Sequence, residues 1–105
     1  MEPAVTVIDN IRELSPIDPD KLGHTTALKS PDVRVVVLAF PAGFVLKEHA
    51  APKTLLMQAL DGRMTVTVGD DATTLVPGGL IRMDSLVRHQ VEAHEDSRLM
   101  LTLIG

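Results

Sequence analysis

In a chain of 105 residues, the groups best suited to chemistry near neutral pH are four histidines, His24, His49, His89 and His94. Cysteine is absent, which removes disulfides, thiolate nucleophiles and zinc-thiolate sites together. A metal ion would therefore have to be held by His, Asp, Glu or water. With two Phe and no Trp or Tyr, base stacking, an aromatic cage and a phenolic general acid are excluded as well. His24 and His94 sit in polar, turn-like sequence and are expected at the surface. His49 falls where a strand starting near Phe44 should end. His89 follows the turn-like stretch Asp84-Ser85-Leu86-Val87 and opens a strand that runs to Ala93. These two can act together only if their strands face a common interior.

The elements that must position them are short. From Val33 onward, segments rich in Val, Leu, Thr and Ile are separated by Pro41-Ala42-Gly43, Asp61-Gly62, Gly69-Asp70-Asp71, Pro77-Gly78-Gly79 and His94-Glu95-Asp96. Strands spaced by about 8–12 residues with turn signals between them predict an all-β sandwich or barrel. Alternation is clearest in Arg63 to Val68, where Met64, Val66 and Val68 share one face and Arg63, Thr65 and Thr67 the other. By the same parity Leu55, Met57, Ala59 and Val91 face inward with the two histidines, and Met83 joins them. Val35–Phe40, Leu55–Met57 and Leu99–Ile104 are apolar on both faces, which a barrel with a wet exterior does not require. No helical pattern is long enough to cover their outer sides, so a homodimer is expected, joined by the partner's N-terminal arm. That arm is residues 1–32. It carries Pro3, Pro16, Pro19 and Pro31, is partly extended, and has at most one or two helical turns within Asp9–Leu14, after an Asp N-cap. The barrel is residues 33–105.

These glycines and histidines carry a resemblance. A Gly, five residues, His, one residue, a second His, three or four residues, Glu, six residues and Gly make the first motif of the cupin superfamily. Here Gly43, His49 and Gly62 stand at that spacing, with Ala51 in place of the second His and Leu55 in place of the Glu. The second motif is Gly, five residues, Pro, one residue, Gly, two residues, His. Gly78 and His89 fit it, while Asp84 and Leu86 stand for the Pro and the second Gly. Over residues 33–104 the chain resembles the small single-domain, RmlC-like cupins. The resemblance implies a double-stranded β-helix, a jelly-roll-like antiparallel barrel preceded here by an irregular N-terminal arm.

In metal-dependent cupins the motifs present three His and one Glu to a divalent ion, and this chain keeps two of the four. Three protein ligands are the usual minimum for a catalytic metal. Gln58 does not replace Leu55, because three residues along a strand lead to the opposite face. His49 and His89 therefore have three readings: pocket residues bonded to backbone or water, contacts to an organic ligand in a largely apolar cavity, or metal ligands. The expected function is binding of a small organic ligand, largely apolar or weakly acidic, at His49, His89, Leu55, Met57, Met83 and Val91. No cofactor is expected. The alternative is a metal-dependent dioxygenase or isomerase holding Zn, Fe, Ni or Mn on His49 and His89. Metal-free acid-base catalysis of the sugar-epimerase kind is disfavoured, since the resemblance implies a Tyr acid that this chain lacks.

A net charge of −4 with Lys and Arg scattered along the chain gives no footprint for nucleic acid. No apolar run reaches the roughly 20 residues needed to cross a bilayer, and Met1–Asn10 has neither the basic flank nor the apolar core of a signal peptide. A cysteine-free chain of this kind is expected in the cytoplasm, with no membrane partner.

Overall fold

Period-two alternation builds nearly all of the structure, a computed structural model that describes residues 4–105. Among these residues the strands are β1 (Gly23–Lys29), β2 (Val33–Phe40), β3 (Val45–His49), β4 (Thr54–Asp61), β5 (Met64–Val68), β6 (Asp71–Leu75), β7 (Ile81–Met83), β8 (His89–Ala93) and β9 (Ser97–Ile104). They form two antiparallel sheets, ordered β1-β2-β9-β4-β7 and β3-β8-β5-β6. Even-numbered positions of β2 (Val36, Leu38, Phe40) and odd-numbered positions of β4 (Leu55, Met57, Ala59) and β9 (Leu99) point inward. They meet Met64, Val66, Leu75, Val91 and Ala93 of the other sheet in one buried cluster. Each large side chain buried there contributes about 1.5–3 kcal/mol.

Turn chemistry fixes the register. Gly62 closes the β4–β5 hairpin at φ +82°, and a Cβ there would overlap Ser97 and the Asp96 carbonyl, so glycine is required on both counts.

The N-terminal region differs from expectation in two respects. The boundary at residue 33 falls inside a hairpin, because Gly23–Lys29 pairs with β2 as the edge strand of the larger sheet. Its inner-face residues His24 and Thr26 are polar and exposed, so the hydrophobic alternation that marks the other strands is missing. Ile11–Leu14 forms a single 3-10 turn, and its cap is Asn10 rather than Asp9, the Asn10 side chain accepting from the Arg12 amide at 3.2 Å. Beyond that turn Arg98 ties the segment to the outer face of the large sheet. Its Nε donates to the Ser15 carbonyl at 2.8 Å and its Nη1 to Asp61 Oδ2 at 2.7 Å. Ala4–Val7 is exposed and outside any strand or helix, with Val5 78% and Val7 74% exposed.

Candidate functional site

Strict alternation would place Leu46 and His49 on opposite faces of β3. The ladder with β8 pairs Leu46 with Val91 and His49 with His89, so three residue steps on β3 match two on β8. This bulge absorbs the extra residue and turns His49 toward His89. On β8 the alternation is regular: His89, Val91 and Ala93 are all buried, while Gln90 and Glu92 face out. The two rings meet with centroids 4.3 Å apart and planes tilted by 57°. On the outside of the same strand pair Arg88 Nε meets Glu48 Oε1 at 2.6 Å. This pair is exposed and contributes little to stability.

Both rings are anchored the same way. His49 Nδ1 lies 3.0 Å from the Lys47 carbonyl and His89 Nδ1 lies 3.0 Å from the Val87 carbonyl. A carbonyl oxygen only accepts, so each Nδ1 carries the proton and donates it. In the neutral form each Nε2 then keeps an unshared lone pair. Burial holds the His89 imidazolium below its ordinary range; the bond to Val87 offsets this in part, and the neighbouring His49 lowers it further. His89 is therefore a neutral acceptor at neutral pH.

The loops carrying the two motif-like segments are joined. The Leu86 amide donates to the Ala51 carbonyl at 2.7 Å. Leu86 is the one non-glycine with positive φ among the described residues, at 69°, and it stands where the second motif has glycine. The backbone turn is kept while its usual residue is not. Leu55, Met57, Met83 and Val91 all lie in the buried apolar cluster, none more than 6% exposed, with Leu55 directly opposite Met83 across β4 and β7. His24 and His94 are exposed and stand apart from the pair, His94 Nε2 lying 2.6 Å from the Thr65 hydroxyl.

As a metal site the donor set falls short. Ala51 and Leu55 offer no donor atom, and among the described residues no three His, Asp or Glu side chains gather closely enough to hold an ion. Two imidazoles do not make a three-ligand centre.

A groove of about 270 Å³ opens at the end of the barrel where β3 finishes and β4 begins. The connection from His49 to β4 supplies Pro52 and Lys53 to its wall, and Lys29 and Arg34 line it from β1 and β2. Sequence inspection missed these cations because 29, 34 and 53 look scattered until the strands pair. The signal available was their position at strand ends flanking turns.

No protein-family profile and no curated protein matches the chain. Solved structures do. A cupin superfamily protein from Desulfitobacterium hafniense superposes with a TM-score of 0.83 at 16% identity, over 97% of this chain and 93% of that one. KdgF from Halomonas sp. gives 0.81 at 18% identity, over 97% and 96%. A cupin 2 conserved barrel domain protein from Leptotrichia buccalis gives 0.83 at 24% identity, over 91% of this chain and 47% of that longer one.

Proposed function

The chain has the fold of a small RmlC-like cupin, and on that premise we propose that it binds a small organic ligand at the His49–His89 end of its barrel without a full metal site. The observation that carries this is the matched anchoring of the two rings: both Nδ1–H groups are committed to backbone carbonyls, which leaves an Nε2 acceptor on each of two rings whose centroids are 4.3 Å apart. A ligand hydroxyl, or another O–H or N–H group, donates to them. The hydrocarbon of Leu55, Met57, Met83 and Val91 keeps water from competing for that bond. Protonation of His89 removes an acceptor, so a neutral ligand is released as pH falls.

The test is a thermal-shift screen of small acids, sugars and aromatic compounds, in which a ligand at a hundred times its Kd stabilises by about 2.7 kcal/mol. A stabilising compound whose effect disappears in His49→Ala and His89→Ala, each measured against its own unliganded Tm, supports the proposal. No shift from any compound removes it.

The second reading is a metal-dependent dioxygenase or isomerase on His49 and His89. It is favoured by the Nδ1–H to carbonyl bonds, the arrangement that also orients metal-binding imidazoles. Near-stoichiometric uptake of Fe, Zn, Ni or Mn that is lost in both alanine variants would select it.

A homodimer belongs to the same proposal. The outer face of the larger sheet carries Val33, Val35, Leu56, Met100 and Ile104 in adjoining register positions, none of them part of the buried cluster. The chain's own exposed apolar arm, with Val5 and Val7, leads out of the segment pinned to that face by Arg98. A second copy supplies what each lacks, an arm for the sheet and a sheet for the arm. Among the described residues no helix is long and apolar enough to cross a membrane. The absence of cysteine suits the reducing cytoplasm, where we place the protein.

A further inference from the structure

Between Leu46 and His49, β3 has one residue more than β8 matches, and where that residue is placed decides which side chain faces His89. The ladder pairs Val45 with Glu92 and Leu46 with Val91, then passes over two residues of β3 and resumes at His49 and His89. Those two, Lys47 and Glu48, are consecutively exposed, while Leu46 before them and His49 after them are both partly buried. Directly opposed residues share a face, and successive residues of a regular strand alternate. A ladder continued without the bulge from Leu46 and Val91 would set Lys47 against Gln90 and Glu48 against His89, with His49 turned outward beside Arg88.

The backbone on either side of the bulge suits that second register. β3 is an edge strand with β8 as its one partner, so no third strand fixes its spacing. At its entry the Ala93 amide donates to the Phe44 carbonyl at 3.0 Å. Beyond its exit the Leu86 amide donates to the Ala51 carbonyl at 2.7 Å. Ala51 lies as far along from Leu46 as Leu86 lies back from Val91, so both ties follow the regular count and only His49 and His89 depart from it.

What sets the two registers apart is the side chain each sends inward. The regular one puts the Glu48 carboxylate against His89, next to Val91 in the apolar interior, where an ion loses its hydration. The bulged one leaves it outside, where Arg88 Nε meets Glu48 Oε1 at 2.6 Å. That ion pair is exposed and weak, so exclusion of the carboxylate from the interior is the larger effect. His49, neutral and able to donate from Nδ1 to the Lys47 carbonyl at 3.0 Å, takes the inward place.

We propose that Glu48 is the positioning residue of the imidazole pair: its charge forces the bulge, and the bulge brings His49 onto His89. Its importance for ligand binding rests on the reading given under Proposed function, while the choice of register does not.

The experiment is nuclear Overhauser spectroscopy of the full, isotopically labelled chain at pH 7.5, read at the imidazole rings and at the β3–β8 backbone. The parent protein should show contact between the His49 and His89 rings. Glu48→Leu restores a period-two apolar pattern with Leu46. It should lose the ring contact and move the cross-strand backbone contacts of His89 from position 49 to position 48. Glu48→Asp keeps the carboxylate and should keep the ring contact. Deleting Lys47 from the Glu48→Leu variant removes the surplus residue and should bring the ring contact back, which general damage to the fold would not do. Deleting Lys47 alone should leave the rings together, a test that stands even where Glu48→Leu does not fold. An unchanged ring contact in Glu48→Leu, its loss in Glu48→Asp or on deletion of Lys47 alone, or no recovery in the combined variant overturns the proposal. Ligand enters none of these measurements, so a ligand screen that fails removes the binding function and leaves the role of Glu48 standing, and the reverse holds equally.

Discussion

Leu86 offers a quantitative prediction, because its backbone and its side chain disagree. At φ 69° a left-handed conformation costs an L-residue about 1–2 kcal/mol. Its side chain is 67% exposed, so removing it forfeits little burial. Glycine adopts this conformation freely, but ordering it on folding costs about 0.5–1 kcal/mol more than ordering a residue with a side chain. The balance predicts that Leu86→Gly stabilises the protein by about 0.5–1 kcal/mol. At roughly 4–8 °C per kcal/mol for a domain near this size, Tm rises by about 2–8 °C. Urea unfolding followed by far-ultraviolet circular dichroism measures it, with a higher midpoint at unchanged slope as the expected result. Leu86→Ala, which keeps the Cβ, should show no gain. A destabilised glycine variant, or equal gains for alanine and glycine, would refute the claim that this turn retains a glycine geometry under a non-glycine residue.

Acidification should cost stability through His89, whose native protonation is pushed below the ordinary histidine range mainly by burial. Between that value and about 6.5 the unfolded chain binds the proton and the native one does not. Stability is therefore complete above pH 6.5 or so and is lost as pH falls through the native value, a slope that should shrink in His89→Gln; stability that rises on acidification would contradict this. Ala51→His with Leu55→Glu restores the two missing motif donors and should create divalent-metal binding, seen as a Tm that rises with added Ni or Mn; a metal-blind double variant would undo the positional match. Sedimentation equilibrium at micromolar concentration should give twice the chain mass, falling toward one in Val35→Glu with Met100→Glu, and a monomeric parent protein would dispose of the dimer.

The all-β class was legible because alternation and turn residues are local signals, as in Arg63–Val68 and at Asp61-Gly62. β1 was not, since an overhanging edge strand has polar residues on the face that elsewhere is apolar. The bulge between Leu46 and His49 is likewise invisible: counting by twos sends His49 the wrong way relative to Leu46, and only the ladder with Val91 and His89 reveals the extra residue. The groove's cations escape composition for a related reason, because proximity of 29, 34 and 53 is made by register rather than by sequence distance. Spacing did locate Leu86 opposite the motif glycine, yet its positive φ, and its bond to Ala51, appear only in three dimensions.

The most direct test is long-range ¹H–¹⁵N correlation of the imidazole nitrogens at pH 7.5, before and after adding a ligand found by thermal shift. Protonated Nδ1 and lone-pair Nε2 in both His49 and His89, with both Nε2 resonances moving together on ligand addition, is the predicted result. Rings in the opposite tautomer, or Nε2 signals that ignore the ligand, would contradict the shared acceptor pair on which the function depends.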